Sequence, residues 1–204
     1  IPAAIKKLVG LVRETTHLPV EIHTHNDIGM AVANEMAGVE AGAEVVHVCV
    51  NGLGERSGNA SLEEVAVCLR TCYGYDWDFR FEKLAELSAL VRDLSAFPLT
   101  PNKPVVGAGN FTRESGIGID MVLGKPLAMF SLDPAFVGQK PQAVLGKKSG
   151  YASVVTKVAQ LGLGVAEDKE KFAAVLERVK ALGIAKKGLV TDEEFIGLVK
   201  EICG

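Results

Sequence analysis

Val20-Glu21-Ile22-His23-Thr24-His25-Asn26-Asp27-Ile28-Gly29 is a strand-like run that stops at a glycine. Side chains of a strand alternate between faces, so His23 and His25 point the same way and Thr24 points away. Asn26-Asp27 begin the turn. Val20 and Ile22 make the strand short, apolar and buried. Two imidazoles on one face at a strand end are half of a divalent-metal site. They are equally the histidine pair of an exposed edge strand, and the spacing alone does not choose. If the pair is buried, it needs a partner or a metal.

The elements on either side fix the fold class. Residues 3 to 16 read as an amphipathic helix with Ile5, Leu8, Val9, Leu11 and Val12 mostly on one face. A strand over 18–25 follows, then an alanine-rich helix over 30–41 that Gly42 ends. Val45 to Val50 is an apolar, β-branched run of the kind buried on both faces of a sheet. Within it His47 reads as a core histidine. Ser61 and Glu64 have the spacing of a capping box for a helix reaching about Tyr73. Helix, strand, helix, strand and helix with short connections imply parallel strands.

Beyond Tyr75 the pattern changes. Phe81 to Ala96 reads as one amphipathic helix, and 97–150 holds most of the prolines with short elements between them. Three helices close the chain, over 153–161, 169–182 and 191–202, the last opened by a Thr191/Glu194 capping box. The division expected is 1–75, 76–150 and 151–204.

Composition narrows the function. The 204 residues carry a net charge of -3 and are 48% hydrophobic, enough for one or two cored domains and without a basic patch for nucleic acid. No apolar run approaches the ~18 residues of a membrane span, and no signal-peptide pattern opens the chain. Cys49, Cys68, Cys72 and Cys203 form no disulfide framework, and Cys68 and Cys72 read as packing residues one helical turn apart. A reduced, cytoplasmic protein is expected.

Several ordered motifs resemble one family. His23 to Ala33, with the pattern His-x-His-Asn-Asp-x-Gly-x-Ala-x-Ala, resembles a signature of the 2-isopropylmalate synthase and homocitrate synthase family. Asn51-Gly-Leu-Gly-Glu-Arg-Ser-Gly-Asn59 resembles its Asn-Gly-x-Gly-Glu-Arg-x-Gly-Asn loop. Pro101-Asn-Lys-Pro-Val-Val-Gly107, Glu114-Ser-Gly-Ile117 and Leu145-Gly-Lys147 with Ser149-Gly150 follow in the family's order. The family belongs to a superfamily of metal-dependent lyases and synthases that includes 3-hydroxy-3-methylglutaryl-CoA lyase. The resemblance implies the last two strands of a (β/α)8 TIM barrel in 1–75. A mainly helical linker subdomain follows, then a C-terminal helical subdomain. It places Ile1 well inside a longer family sequence, so the C-terminal half of such an enzyme is expected.

The resemblance also implies a site. The family's metal is held by an Asp on the first barrel strand, two histidines and an Asn. The last three match His23, His25 and Asn59, while Asn51 reads as a turn residue. A mixed nitrogen and oxygen set suits Mg, Mn, Zn or Co. Glu55 matches an active-site carboxylate of the synthases, its alternative reading being a salt-bridged loop pair with Arg56. Two departures stand out. The family's linker motif His-x-Ser-Gly-Ile-His is here Arg113-Glu114-Ser115-Gly116-Ile117-Gly118, and Lys148 stands where the family's Leu-Gly-Lys-His-Ser-Gly has its histidine. Glycine carries no proton, so the usual general acid/base of the condensation is absent. Arg113 is suited to clamp a substrate carboxylate.

The sequence therefore predicts a divalent-metal enzyme acting on a small 2-keto or 2-hydroxy carboxylic acid, leaning to a carbon-carbon lyase. The alternatives are an acyl-CoA-dependent synthase of the isopropylmalate, citramalate or homocitrate type, and a non-catalytic family member. A homodimer is expected, with neither nucleic acid nor membrane as a partner.

Overall fold

A computed structural model describes residues 1–204, which pack as two compact units, Ile1–Asn110 and Phe111–Gly204. The first unit runs α1 (Pro2–Thr16), β1 (Glu21–His23), α2 (Ala31–Glu40), β2 (Val45–His47), α3 (Leu62–Thr71) and α4 (Leu84–Ser95). The second runs β3 (Thr112–Arg113), α5 (Ile119–Gly124), β4 (Gln142–Ala143), α6 (Tyr151–Gln160), α7 (Lys169–Lys186) and α8 (Asp192–Cys203). The class is mixed α/β. The sheets observed are two parallel pairs, β1 with β2 and β3 with β4. By internal packing the chain divides at 110/111, whereas the motif-based division lies at 75 and 150. No helix is long and apolar enough to cross a membrane.

Helix and strand of the first unit meet closely. Ile22 is buried beneath α2, and a Cβ at Gly38 would fall 2.5 Å from Ile22 Cδ1. Ala31, Met36, Ala60 and Val65 form the core there, with Val46 and Cys68 packed against it. Pro2 stands at the start of α1, where its missing N–H costs nothing.

Several sequence expectations need correction. The strand read over 18–25 is only Glu21–His23, and that read over 45–50 is only Val45–His47. Nor is the latter buried on both faces, since Val45 and His47 are exposed. Val46 and Val48 pack against the core of this unit, while Val45 and His47 lie on the opposite, exposed face. Phe81–Lys83 is a 3-10 turn leading into α4 rather than its first turn. Ser61 does stand at the N-cap of α3, but its hydroxyl makes no cap bond. Lys103 takes both Ser61 and Glu64, because a mostly buried ammonium competes for the oxygens a capping box would use.

The second unit is held by Leu145, Val154, Phe172, Val175, Val179 and Phe195. The Thr191/Glu194 box is present: Glu194 N donates to Thr191 Oγ1 at 3.3 Å and Thr191 N to Glu194 Oε2 at 2.7 Å. Lys157 lies among these apolar residues, donating to Ala143 O at 2.9 Å and pairing with Asp192 at 2.7 Å. Lys157→Ala would leave a buried carbonyl unpaired and a cavity, at about 2–4 kcal/mol. The urea midpoint should fall accordingly. Lys157→Met, which keeps the volume, should lose about half as much.

Candidate metal centre

The site is built where β1 ends. Ile22 and Thr24 point into the unit, and His23 and His25 share the other face. Thr24 Oγ1 lies 2.9 Å from Glu35 Oε1 and 3.0 Å from Ala31 O, which pins the chain between the two histidines. The turn that follows is closed by Asn26, whose Oδ1 accepts from Ala31 N at 3.1 Å. Opposite it runs the glycine-rich loop Asn51–Asn59. Asn26 N donates to Gly58 O at 2.8 Å, and His25 and Asn59 form an isolated antiparallel bridge. That bridge delivers Asn59 to the imidazoles.

His23 Nε2 and His25 Nε2 lie 3.3 Å apart, with the rings edge to face at 5.0 Å. Asn59 Nδ2 lies 3.2 Å from His23 Nε2. Two nitrogens each ~2.0–2.1 Å from one ion, at tetrahedral or right angles, are ~3 Å apart, so the pair has the spacing of shared ligands. Asn59 Oδ1 and His25 Nδ1 are buried without a partner. Buried polar atoms are ordinarily paired. Turning the Asn59 amide over, an assignment set by its partners, presents its oxygen to the same point. The donors present thus fit a divalent ion as an incomplete set. No group of three or more His, Cys, Asp or Glu side chains gathers, so any further ligand must come from outside these donors.

The remaining expected residues are placed as follows. Asn51 is buried in a left-handed turn with φ 61°, its amide bonded to Ser88, as the turn reading requires. Glu55 is exposed on the loop, its carbonyl accepting from Gly58 N at 2.9 Å. Arg56 pairs with Asp27 through a two-pronged fork at 2.8 and 3.0 Å. The fork joins the two turns and holds the Asp27 carboxyl below its usual range. Arg113 belongs to the second unit, where its Nε donates to Ile117 O at 2.8 Å. Gly118 caps α5 at φ 70°, a conformation a histidine adopts only with strain.

His47 corrects its expected core role. It faces His23 across the parallel register, with rings 5.6 Å apart, and its Nε2 is 3.0 Å from Glu21 Oε2. Period-two reading from His23 back to Glu21 could have placed that carboxylate on the histidine face. The Arg56 fork, spanning 29 residues, carried no local signal.

Glu35 sits behind Thr24, fully buried, with one oxygen unpaired. Burial pushes its carboxyl up to about 7, against the opposing pull of the Thr24 hydroxyl. An unfolded glutamate titrates near ~4.3, so between those values the folded chain binds the extra proton. Stability then declines as pH rises through this window and levels off above it. Glu35→Gln should match the parent near pH 4.5 and exceed it by about 1–3 kcal/mol at pH 8 in urea unfolding. A parent with no slope across the window would contradict this.

Comparisons with known proteins agree with the motifs. A family model described as HMGL-like matches residues 1–91, and one described as homocitrate synthase post-HMGL domain-like matches 105–187. The chain is 45% identical to homocitrate synthase AksA of Methanopyrus kandleri over 202 residues, covering 99% of this chain and 50% of that protein. It is 41% identical to 2-isopropylmalate synthase of Methanocaldococcus jannaschii, covering 100% and 40%. It is 39% identical to (R)-citramalate synthase CimA of the same organism, covering 100% and 41%. The chain spans about half the length, or less, of these relatives.

Proposed function

This chain belongs to the isopropylmalate synthase and homocitrate synthase-like family, with its HMGL-like and post-HMGL segments, and from that premise we propose an acyl-CoA-dependent synthase acting on a 2-keto acid. The observation that supports the synthase reading is the similarity of nearly the whole chain to homocitrate, 2-isopropylmalate and citramalate synthases; the His23 and His25 nitrogens 3.3 Å apart, with Asn59 3.2 Å from His23, are compatible with it. The lean to a lyase is withdrawn. It rested on the missing histidine at Gly118, and the relatives, similar along nearly all of this chain, are synthases. One absent proton carrier identifies a reaction poorly, because a carboxylate or an ordered water serves as well.

His23, His25 and Asn59 are the residues that would hold a divalent ion. Such an ion supplies Lewis acidity to a carbonyl or carboxylate oxygen. The chain's own residues do the rest. Thr24 and Asn26 fix the imidazole spacing, and the Asp27–Arg56 fork keeps the two turns together. Glu55, exposed on the loop, is the proton carrier proposed in place of a histidine. Arg113 is proposed as a carboxylate contact by virtue of its planar fork.

The test uses the full-length protein with acetyl-CoA and a panel of 2-keto acids, following free thiol. Metal-dependent release that a chelator stops is expected. Thiol release absent for every acid, alongside metal-dependent cleavage of a polycarboxylate, would restore the lyase.

A further inference from the structure

The segment Pro101–Gly107 has no task in the reading above, yet its lysine reaches the loop that carries Asn59. Lys103 Nζ lies against the Glu64 carboxylate and Ser61 Oγ, and 3.7 Å from Glu63 Oε1. The ammonium is mostly buried, and Glu63 is 1% exposed. Glu63 in turn accepts from Asn51 N at 3.0 Å, where the loop begins. Ser61 stands where the loop ends, two residues past Asn59. The loop closes on itself between these points, with Asn59 N donating to Gly52 O at 3.0 Å and Cys49 N to Ala60 O at 3.0 Å.

The lysine's own backbone is tightly held. Its N–H donates to Thr100 O at 3.0 Å, and its carbonyl accepts from Gly107 N at 2.8 Å and from Asn110 Nδ2. A Cβ at Gly107 would fall 2.6 Å from both Lys103 N and O, which accounts for the glycine closing this motif. One cation thus donates to Ser61 at the exit of the loop and stands at ion-pair distance, without a hydrogen bond, from the Glu63 oxygen at its entrance. Burial raises the Glu63 carboxyl above its usual range, and the Lys103 charge beside it opposes that shift.

We infer that Lys103 is a positioning residue that sets Asn59 against the two histidines by clamping both ends of the loop. The inference rests on the metal reading proposed above. It assigns Lys103 no contact with ion or substrate, so its effect must pass through Asn59.

That makes a double-mutant cycle decisive. Full-length protein is stripped with a chelator and titrated with Mn2+. Lys103→Met and Asn59→Ala should each weaken binding tenfold or more, and the double variant should bind no worse than Asn59→Ala alone. Losses that multiply would mean that Lys103 acts elsewhere, and would overturn the inference. Unchanged binding by Lys103→Met, with a parent that binds Mn2+, overturns it while leaving the metal reading standing. A parent that does not bind Mn2+ removes both. If Lys103→Met fails to fold, Glu64→Gln enters the same cycle. It keeps a polar neighbour for the ammonium, and its roughly threefold loss should vanish in the Asn59→Ala background.

Discussion

His23→Ala in the full-length protein is expected to remove stoichiometric divalent metal while leaving the fold in place. The side chain is exposed at the end of β1, and its neighbours are His25, His47 and Asn59 rather than the apolar core. Nothing in the packing of Ile22 under α2 depends on it. Surface changes of this kind shift stability by about 0.5 kcal/mol or less. Its contribution to a metal site is of another order. Loss of outer partners alone costs ~10–100-fold in metal affinity, and loss of a ligand costs more. Elemental analysis after gel filtration should show about one equivalent in the parent and almost none in the variant. Urea midpoints should coincide. One retained equivalent would remove His23 from the ligand set, and a large drop in the midpoint would make it a structural residue.

The site was legible where it depended on period and order. His23 and His25 share a face because a strand alternates, and that much follows from two residues of separation. Asn59 came from the loop motif. Nothing within the sequence shows that a bridge to His25 brings Asn59 across 36 residues to His23. Helix limits were read well where capping chemistry marks them, as at Thr191, where Glu194 completes the box. The same pattern misled at Ser61, because a lysine 42 residues away captured both oxygens. Strand lengths were overestimated for a related reason. β-branched runs report the capacity to be buried, whereas strand length depends on the neighbours present to pair. The polar partners in the site, Asp27 with Arg56 and Glu21 with His47, are ordinary in type and distant in sequence, so only the folded backbone selects them.

Gly58→Ala should disrupt the loop, with Gly29→Ala as its control. Both glycines hold left-handed backbone, φ 85° at Gly58 and 76° at Gly29. That conformation costs an L-residue about 1–2 kcal/mol at either position. The surroundings differ. A Cβ at Gly29 meets nothing within 4 Å, whereas one at Gly58 would lie 2.0 Å from Gly52 O. The obstacle is backbone, and the same Gly52 carbonyl accepts the hydrogen bond from Asn59 N. Relief therefore requires the two limbs of the loop to part just where Asn59 is tied down. The bond from Asn26 N to Gly58 O, which joins the loop to the histidine turn, would be strained by the same movement. Gly58→Ala should weaken Mn2+ binding at least tenfold and destabilise the loop by about 2–4 kcal/mol, combining left-handed strain with lost hydrogen bonds. Gly29→Ala should change Mn2+ binding by less than about threefold, since its strain stays local. Equal effects from the two substitutions would show that left-handed strain alone sets the cost. The close approach of Gly58 to Gly52 would then have no part in holding Asn59 in place.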